Sequence, residues 1–210
     1  MRLALVILLL VAASAACEKK PAGTGGTGSG GTTTKDDEAA REQERFDAER
    51  RPDKVVEALG IKPGSVVADV GAGSGLLTVH LARAVAPSGK VIATDVDGTV
   101  LELLSQRLKA ANLANVVETR VVGADTPGLE PNTYDAILLA EVDHYFTDPA
   151  AWLREAGKAL KPGGRIVISN RIYHQAQSMA SAKKAGLVMD HVTTPIPTHF
   201  IAVFTTEAPK

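Results

Sequence analysis

The sequence predicts an α/β protein: a doubly wound, mostly parallel, seven-stranded sheet with an antiparallel pair at its C-terminal edge. Three observations carry this. From Pro52 onward, short β-branched runs alternate with amphipathic stretches of helical period, the pattern of βαβ units. Turn signals, Lys62-Pro63-Gly64, Pro87-Ser88-Gly89 and Lys161-Pro162-Gly163-Gly164, fall between those runs. The last two strand candidates are joined too tightly for a parallel crossover, so they must pair antiparallel.

Residues 1–17 are set apart from this pattern. Arg2 is followed by an apolar run from Leu3 to Ala13, then by Ser14, Ala15, Ala16 and Cys17. That is the layout of a secretory signal, and the run is too short for a membrane helix. Residues 18–36 contain AGTGGTGSGGTTT, which has no side chain able to offset the cost of ordering, so they read as a tether. Residues 37–51 are a charged lead-in of helical character whose one aromatic anchor is Phe46.

The domain proper spans 52–206. Pro52 opens a helix with Val55, Val56 and Leu59 on one face, stopped by Gly60. Ser65–Val70 is a buried strand, Leu76–Val85 a helix, Val91–Thr94 the second strand and Thr99–Ala111 the next helix. Val116–Val122 and Tyr134–Ala140 are strands three and four. Asp148-Pro149 caps a helix running to Leu160, and Arg165–Ser169 is strand five. His174–Ala185 is a weaker helix, and Leu187–Thr193 and His199–Thr205 are the final strands.

Composition narrows the function. Lys+Arg 23 against Asp+Glu 24 gives a net charge of -1, so no basic excess attracts nucleic acid or an anionic membrane. Aromatics at 4 % make a base-stacking platform a poor fit. A single cysteine excludes an internal disulfide and any multi-cysteine metal site, and His174, His191 and His199 show no metal-ligand spacing.

The strongest local signal is Val66-Val67-Ala68-Asp69-Val70-Gly71-Ala72-Gly73-Ser74-Gly75, between a strand and a helix. Glycines there let the backbone turn sharply and a ligand approach closely, at the carboxyl end of a strand where open α/β sheets bind ligands. Leu76 occupies the place of the third glycine in a dinucleotide fingerprint, and no Lys-Ser/Thr follows to make a P-loop. Asp95 closes the second strand, where an acid accepts hydrogen bonds from both ribose hydroxyls of a nucleoside; its other reading is a helix cap, with Asp97 competing for that role.

The acid–x–Gly-x-Gly-x-Gly pattern resembles the first motif of class I S-adenosylmethionine-dependent methyltransferases. Tyr134–Ala140 resembles that family's fourth strand, and Leu160-Lys161-Pro162-Gly163-Gly164-Arg165-Ile166 its turn into strand five. The likeness covers roughly residues 52–170 and sits closest to the small-molecule, quinone-ring branch. It implies a Rossmann-like fold and S-adenosylmethionine as cofactor, held by Asp69, Gly71, Ala72, Gly73, Ser74, Gly75, Asp95, Val96 and Glu141. Asp125, in Gly123-Ala124-Asp125, stands near the family's adenine-contacting acid, with turn formation before Thr126-Pro127-Gly128 an equal reading. Val142-Asp143-His144-Tyr145-Phe146 resembles the branch's Val-Leu-His-His-Phe. His144 is the near-neutral titrating group there, a candidate base alongside Glu141, or else a structural histidine bonded to a carbonyl. Tyr145 and Phe146 read as packing or acceptor walls, Trp152 as core, and Arg171, Tyr173 and His174 as further acceptor-pocket candidates. His80 reads as surface.

The expected partner is a small-molecule acceptor. The N-terminus resembles a bacterial lipoprotein signal, implying membrane attachment only through Cys17; an ordinary cleaved signal is the other reading. Localisation is then exported and membrane-anchored, or cytoplasmic if the signal is not used. Because S-adenosylmethionine is a cytoplasmic metabolite, an inactive tethered nucleoside-binding module of the same fold stands as the alternative, and a nicotinamide oxidoreductase as a weaker one.

Overall fold

In a computed structural model, residues 35–207 are described; the signal-type segment, Cys17 and nearly all of the Gly/Thr-rich tether lie outside them. The chain runs α1 (Lys35–Arg50), α2 (Pro52–Leu59), β1 (Val66–Val70), α3 (Thr78–Val85), β2 (Lys90–Asp95), α4 (Gly98–Ala110), β3 (Val117–Val121), β4 (Tyr134–Ala140), α5 (Pro149–Ala159), β5 (Leu160–Arg171), α6 (Gln175–Ala185), β6 (Val188–Ile196) and β7 (His199–Thr205). The seven strands lie in the order β3-β2-β1-β4-β5-β7-β6. All pairings are parallel except β5–β7 and β6–β7.

Both faces of the sheet are covered, which is why β1 and β4 are near-continuous apolar runs. On one face Val67, Val91, Ala93, Leu138 and Val203 pack with Val55 and Leu59 of α2, Leu81 of α3 and Leu104 of α4. On the other, Ala68, Ile92, Ile137 and Phe200 pack with Trp152 and Leu153 of α5 and Ala182 of α6. The alternation of the strand residues sends neighbours to opposite cores.

Within the domain proper, three elements differ from the sequence reading by more than one residue. Strand β5 begins at Leu160, not Arg165: Leu160 already pairs with Tyr134, and Lys161–Gly164, with Gly163 at φ +79°, bulges out of the strand instead of ending a loop. Strand β6 continues through Pro195 to Ile196 because it is the edge strand, where a missing N–H leaves no neighbour unpaired and a register shift absorbs the ring. Helix α3 begins at Thr78, since Leu76 and Leu77 still belong to the turn.

Helix α1 is strongly hydrophilic, yet it is seated on the body by polar contacts. Gln43 Nε2 donates to Leu76 O at 2.9 Å, and His80 Nε2 lies 2.8 Å from Asp47 Oδ1. Arg107 of α4 bonds Glu42 at 2.5 Å. His80, expected at the surface, is mostly covered by this clamp.

The glycine loop is spatially constrained. A Cβ on Gly75 (φ +85°) would lie 2.7 Å from Leu104 Cγ, whereas one on Gly73 (φ +55°) would meet nothing within 4 Å. We expect Gly75→Ala to cost about 2–4 kcal/mol, combining overpacking with the left-handed backbone, and Gly73→Ala only about 1–2 kcal/mol from the backbone alone. Urea-unfolding midpoints of the two variants check this; equal losses would contradict it.

Candidate functional site

A crevice opens where the winding of the sheet reverses, between β1 and β4, at the carboxyl ends of the strands. Gly71 N and Ala72 N both donate to Thr94 O, at 2.8 and 2.9 Å, and Gly75 N donates to Ala72 O at 3.1 Å. These bonds curl the loop and leave Gly73 N to donate to Asp95 Oδ2 at 2.9 Å. The other Asp95 oxygen accepts from Asp97 N at 3.0 Å. The helix-cap role falls to Asp97, whose Oδ1 accepts from Thr99 N at 2.8 Å, so Asp95 stands at the crevice and not on α4.

Two cavities flank this loop. The first, about 280 Å³, has Asp95, Val96, Val122, Ala124, Val142 and Trp152 in its walls, with Thr94 in its floor. Its lining is chiefly apolar, with the Asp95 and Glu141 carboxylates among it. Thr94 Oγ1 is buried without a hydrogen-bond partner, an uncommon debt for a folded chain. The second cavity, about 250 Å³, is bounded by Phe46, Arg50, Asp69, Ala72, Gly73, Ser74 and Ser169, among others. Gly71 and Glu141 line both. This donor set suits a nucleoside carrying a polar tail: an acid for ribose hydroxyls and apolar walls for a base in the first cavity, backbone amides and charged groups in the second.

Asp69 is buried, and its Oδ2 accepts from Thr78 Oγ1 at 2.7 Å. Burial pushes its carboxyl up to about 6; the Thr78 bond opposes this and the Asp95 charge adds to it.

Glu141 follows β4 with φ +54°, a left-handed conformation that an L side chain adopts at a cost of about 1–2 kcal/mol. Its N–H donates to Ser169 O at 2.8 Å. Its carboxylate pairs with Arg50 and accepts from Arg171 Nε at 3.0 Å, and His199 Nε2 lies 3.5 Å away. Burial would raise the Glu141 carboxyl, but the Arg50 and Arg171 guanidiniums outweigh it and hold it below the usual carboxylate range. Burial and the Arg50 charge push the His199 pKa down.

Several expected site residues lie elsewhere. His144 lines neither cavity: its Nδ1 is 3.0 Å from Asn170 Nδ2, and its ring stacks on His174 at 4.1 Å. Burial and the neighbouring His174 push its pKa down. Asn170 also donates to the buried Asp143 at 2.6 Å, which accepts from Ser178 Oγ at 2.5 Å, so this corner is a packed polar network. Asp125 is turned away as well; its carboxylate accepts from Thr147 N and Oγ1, both at 2.8 Å, and Gly123, Ala124 and Thr126 form the wall in its place. Tyr145 lines the first cavity while largely exposed, and Phe146 is buried against Trp152 at 4.4 Å. Arg171 reaches the site only through Glu141. Sequence reading missed Arg50, Phe46 and His199. The four-residue spacing of Phe46 and Arg50 put them on one helix face, with the guanidinium 5.8 Å from the ring centroid; nothing local flagged His199.

Comparison with known proteins agrees with the fold. Residues 68–166 match a family model described as a methyltransferase domain. The ubiquinone/menaquinone biosynthesis C-methyltransferase UbiE of Cronobacter sakazakii is 30% identical over 113 residues, which is 54% of this chain and 45% of that protein. The chain thus spans about half the length of the curated relatives it matches. A SAM-dependent methyltransferase from Aquifex aeolicus superposes with TM-score 0.68 at 24% identity, covering 78% of this chain and 96% of that one. A geranyl diphosphate C-methyltransferase from Streptomyces coelicolor, solved with S-adenosyl-L-homocysteine, superposes with TM-score 0.65 at 12% identity over 85% and 88%.

Asp69 makes stability fall with pH in a defined window. Its folded carboxyl holds a proton up to about 6, while the unfolded one releases it near 3.8. Between these values the unfolded chain binds fewer protons, so rising pH destabilises the fold, and the loss levels off above about 6. We expect wild type to lose about 2–3 kcal/mol relative to Asp69→Asn across that window. Urea unfolding from pH 4 to 7 checks it; parallel profiles would refute it.

Proposed function

We propose that this chain carries a class I S-adenosylmethionine-dependent methyltransferase domain and transfers the cofactor's methyl group to a small, lipophilic acceptor. The observation that carries the reading is Asp95: its carboxylate stands at the rim of an apolar cavity, bonded to Gly73 N of the glycine loop and released from helix capping by Asp97. In this reading Asp95 accepts from the ribose hydroxyls, Val96, Val122 and Val142 flank the adenine, and the glycine loop backs the amino-acid end.

The cofactor supplies a methyl group on a sulfonium, whose transfer quenches charge at sulfur. The chain therefore has to orient an acceptor and exclude water more than stabilise new charge, and preorganisation of this kind is worth about 7–11 kcal/mol. No histidine lines either cavity among the described residues, and Glu141 is committed to two guanidiniums. That favours an acceptor nucleophilic without help from an enzyme base. The name of the relatives, C-methyltransferases of ubiquinone and menaquinone biosynthesis, supports an electron-rich ring carbon as the acceptor atom. An apolar acceptor also agrees with attachment to a membrane through a lipid on Cys17, with the Gly/Thr-rich segment as its tether.

Calorimetry with S-adenosylmethionine and S-adenosylhomocysteine tests the cofactor reading; binding of neither would remove it. Asp95→Ala should weaken the affinity by about 2 kcal/mol or more, since it deletes charge-assisted hydrogen bonds. An unchanged affinity would mean the ribose is held elsewhere. Labelled fatty-acid incorporation should be present in the full chain and lost in Cys17→Ala; equal labelling of both would refute the anchor.

A further inference from the structure

The second cavity has an unusual charge set. Among its described lining residues Arg50 is the one Lys or Arg, and it stands with two carboxyls, Asp69 and Glu141. Asp69 is buried and bonded to Thr78, whereas Arg50 and Glu141 pair with each other across the cavity.

The pair is lopsided. Glu141 keeps Arg171 Nε at 3.0 Å, so it stays paired if Arg50 turns away. Glu141 is the sole ion-pair partner of Arg50 among the described residues; its other neighbour is the face of Phe46. Arg50 can therefore leave Glu141 without stranding a partly buried anion, the event that makes breaking such a pair costly. What it needs in exchange is another carboxylate, because a guanidinium bonds a carboxylate with a paired fork of donors.

Resting on the cofactor reading above, we propose that Arg50 is a cofactor-selecting residue: it exchanges Glu141 for the α-carboxylate of the amino-acid end of S-adenosylmethionine. One cation and two carboxyls are the complement of an α-ammonium and an α-carboxylate. The Arg50–Glu141 pair holds the place of that zwitterion, and after the exchange every charge has a partner. Arg50 closes α1, so the helix that covers this cavity is also the element that reads the amino-acid end of the ligand.

The test compares three nucleosides by calorimetry on the full chain and on Arg50→Gln and Arg50→Lys. S-adenosylmethionine and its decarboxylated form share the sulfonium and differ in the carboxylate; 5′-methylthioadenosine lacks the amino-acid end altogether. We expect wild type to bind S-adenosylmethionine at least tenfold more tightly than the decarboxylated form. In Arg50→Gln that ratio should fall to about one with 5′-methylthioadenosine affinity kept, and Arg50→Lys should restore part of it. Equal binding of the two sulfoniums by wild type overturns the proposal. So does a ratio that survives in Arg50→Gln, or a loss shared equally by 5′-methylthioadenosine, which would mark a structural role. Failure of all three nucleosides to bind wild type would instead bring down the cofactor reading itself.

Discussion

The structure depends on one constraint: at the reversal point of a parallel sheet, the chain must turn from β1 into α3 without blocking the crevice. Three glycines in left-handed conformation do this, and two backbone amides of the loop share the Thr94 carbonyl at the end of the neighbouring strand. The loop is thereby tied to β2, and the carboxylate that ends β2 is brought to it. Asp95 and Gly73 meet because the strand pairing is in register, Val70 opposite Thr94. Site and fold are the same hydrogen-bond pattern seen at two scales.

Electrostatics then divides the crevice. The first cavity is apolar with a carboxylate at its rim. The second is crossed by an ion pair. Glu141 is the wall common to both, held in a left-handed conformation by its own N–H bond to Ser169 and by two guanidiniums. Strain of this kind is kept where surrounding contacts over-determine it. The lowered pKa of Glu141 and the withdrawn position of His144 leave the site organised for orientation, as the proposed charge-quenching transfer demands.

Helix α1 shows how a polar segment can be recruited to a fold. It has little apolar surface to bury, and its attachment rests on Gln43, Asp47, Glu42 and Arg50 reaching the loop, α3, α4 and Glu141 just after β4. Contacts of this type are individually small and screened by salt, so α1 is the part of the described chain most open to bias by whatever occupies the cavity beneath it.

The sequence by itself determined the alternation of strands and helices, the antiparallel edge and the glycine loop with Asp69 and Asp95. These are local signals: period, turn chemistry and spacing act over a few residues, and chain connectivity leaves few ways to assemble them. Tertiary structure decided what depends on neighbours far along the chain. Asp125 and His144 lay in the right segments, but their side chains found Thr147 and Asn170 in place of the crevice. Arg50 and His199 come from opposite ends of the described chain and converge on Glu141, because β7 inserts beside β5 and α1 ends near the carboxyl end of β4. The bulge at Lys161–Gly164 likewise needed the register with Tyr134, since a Pro-Gly-Gly run signals a turn equally well inside a strand or before it.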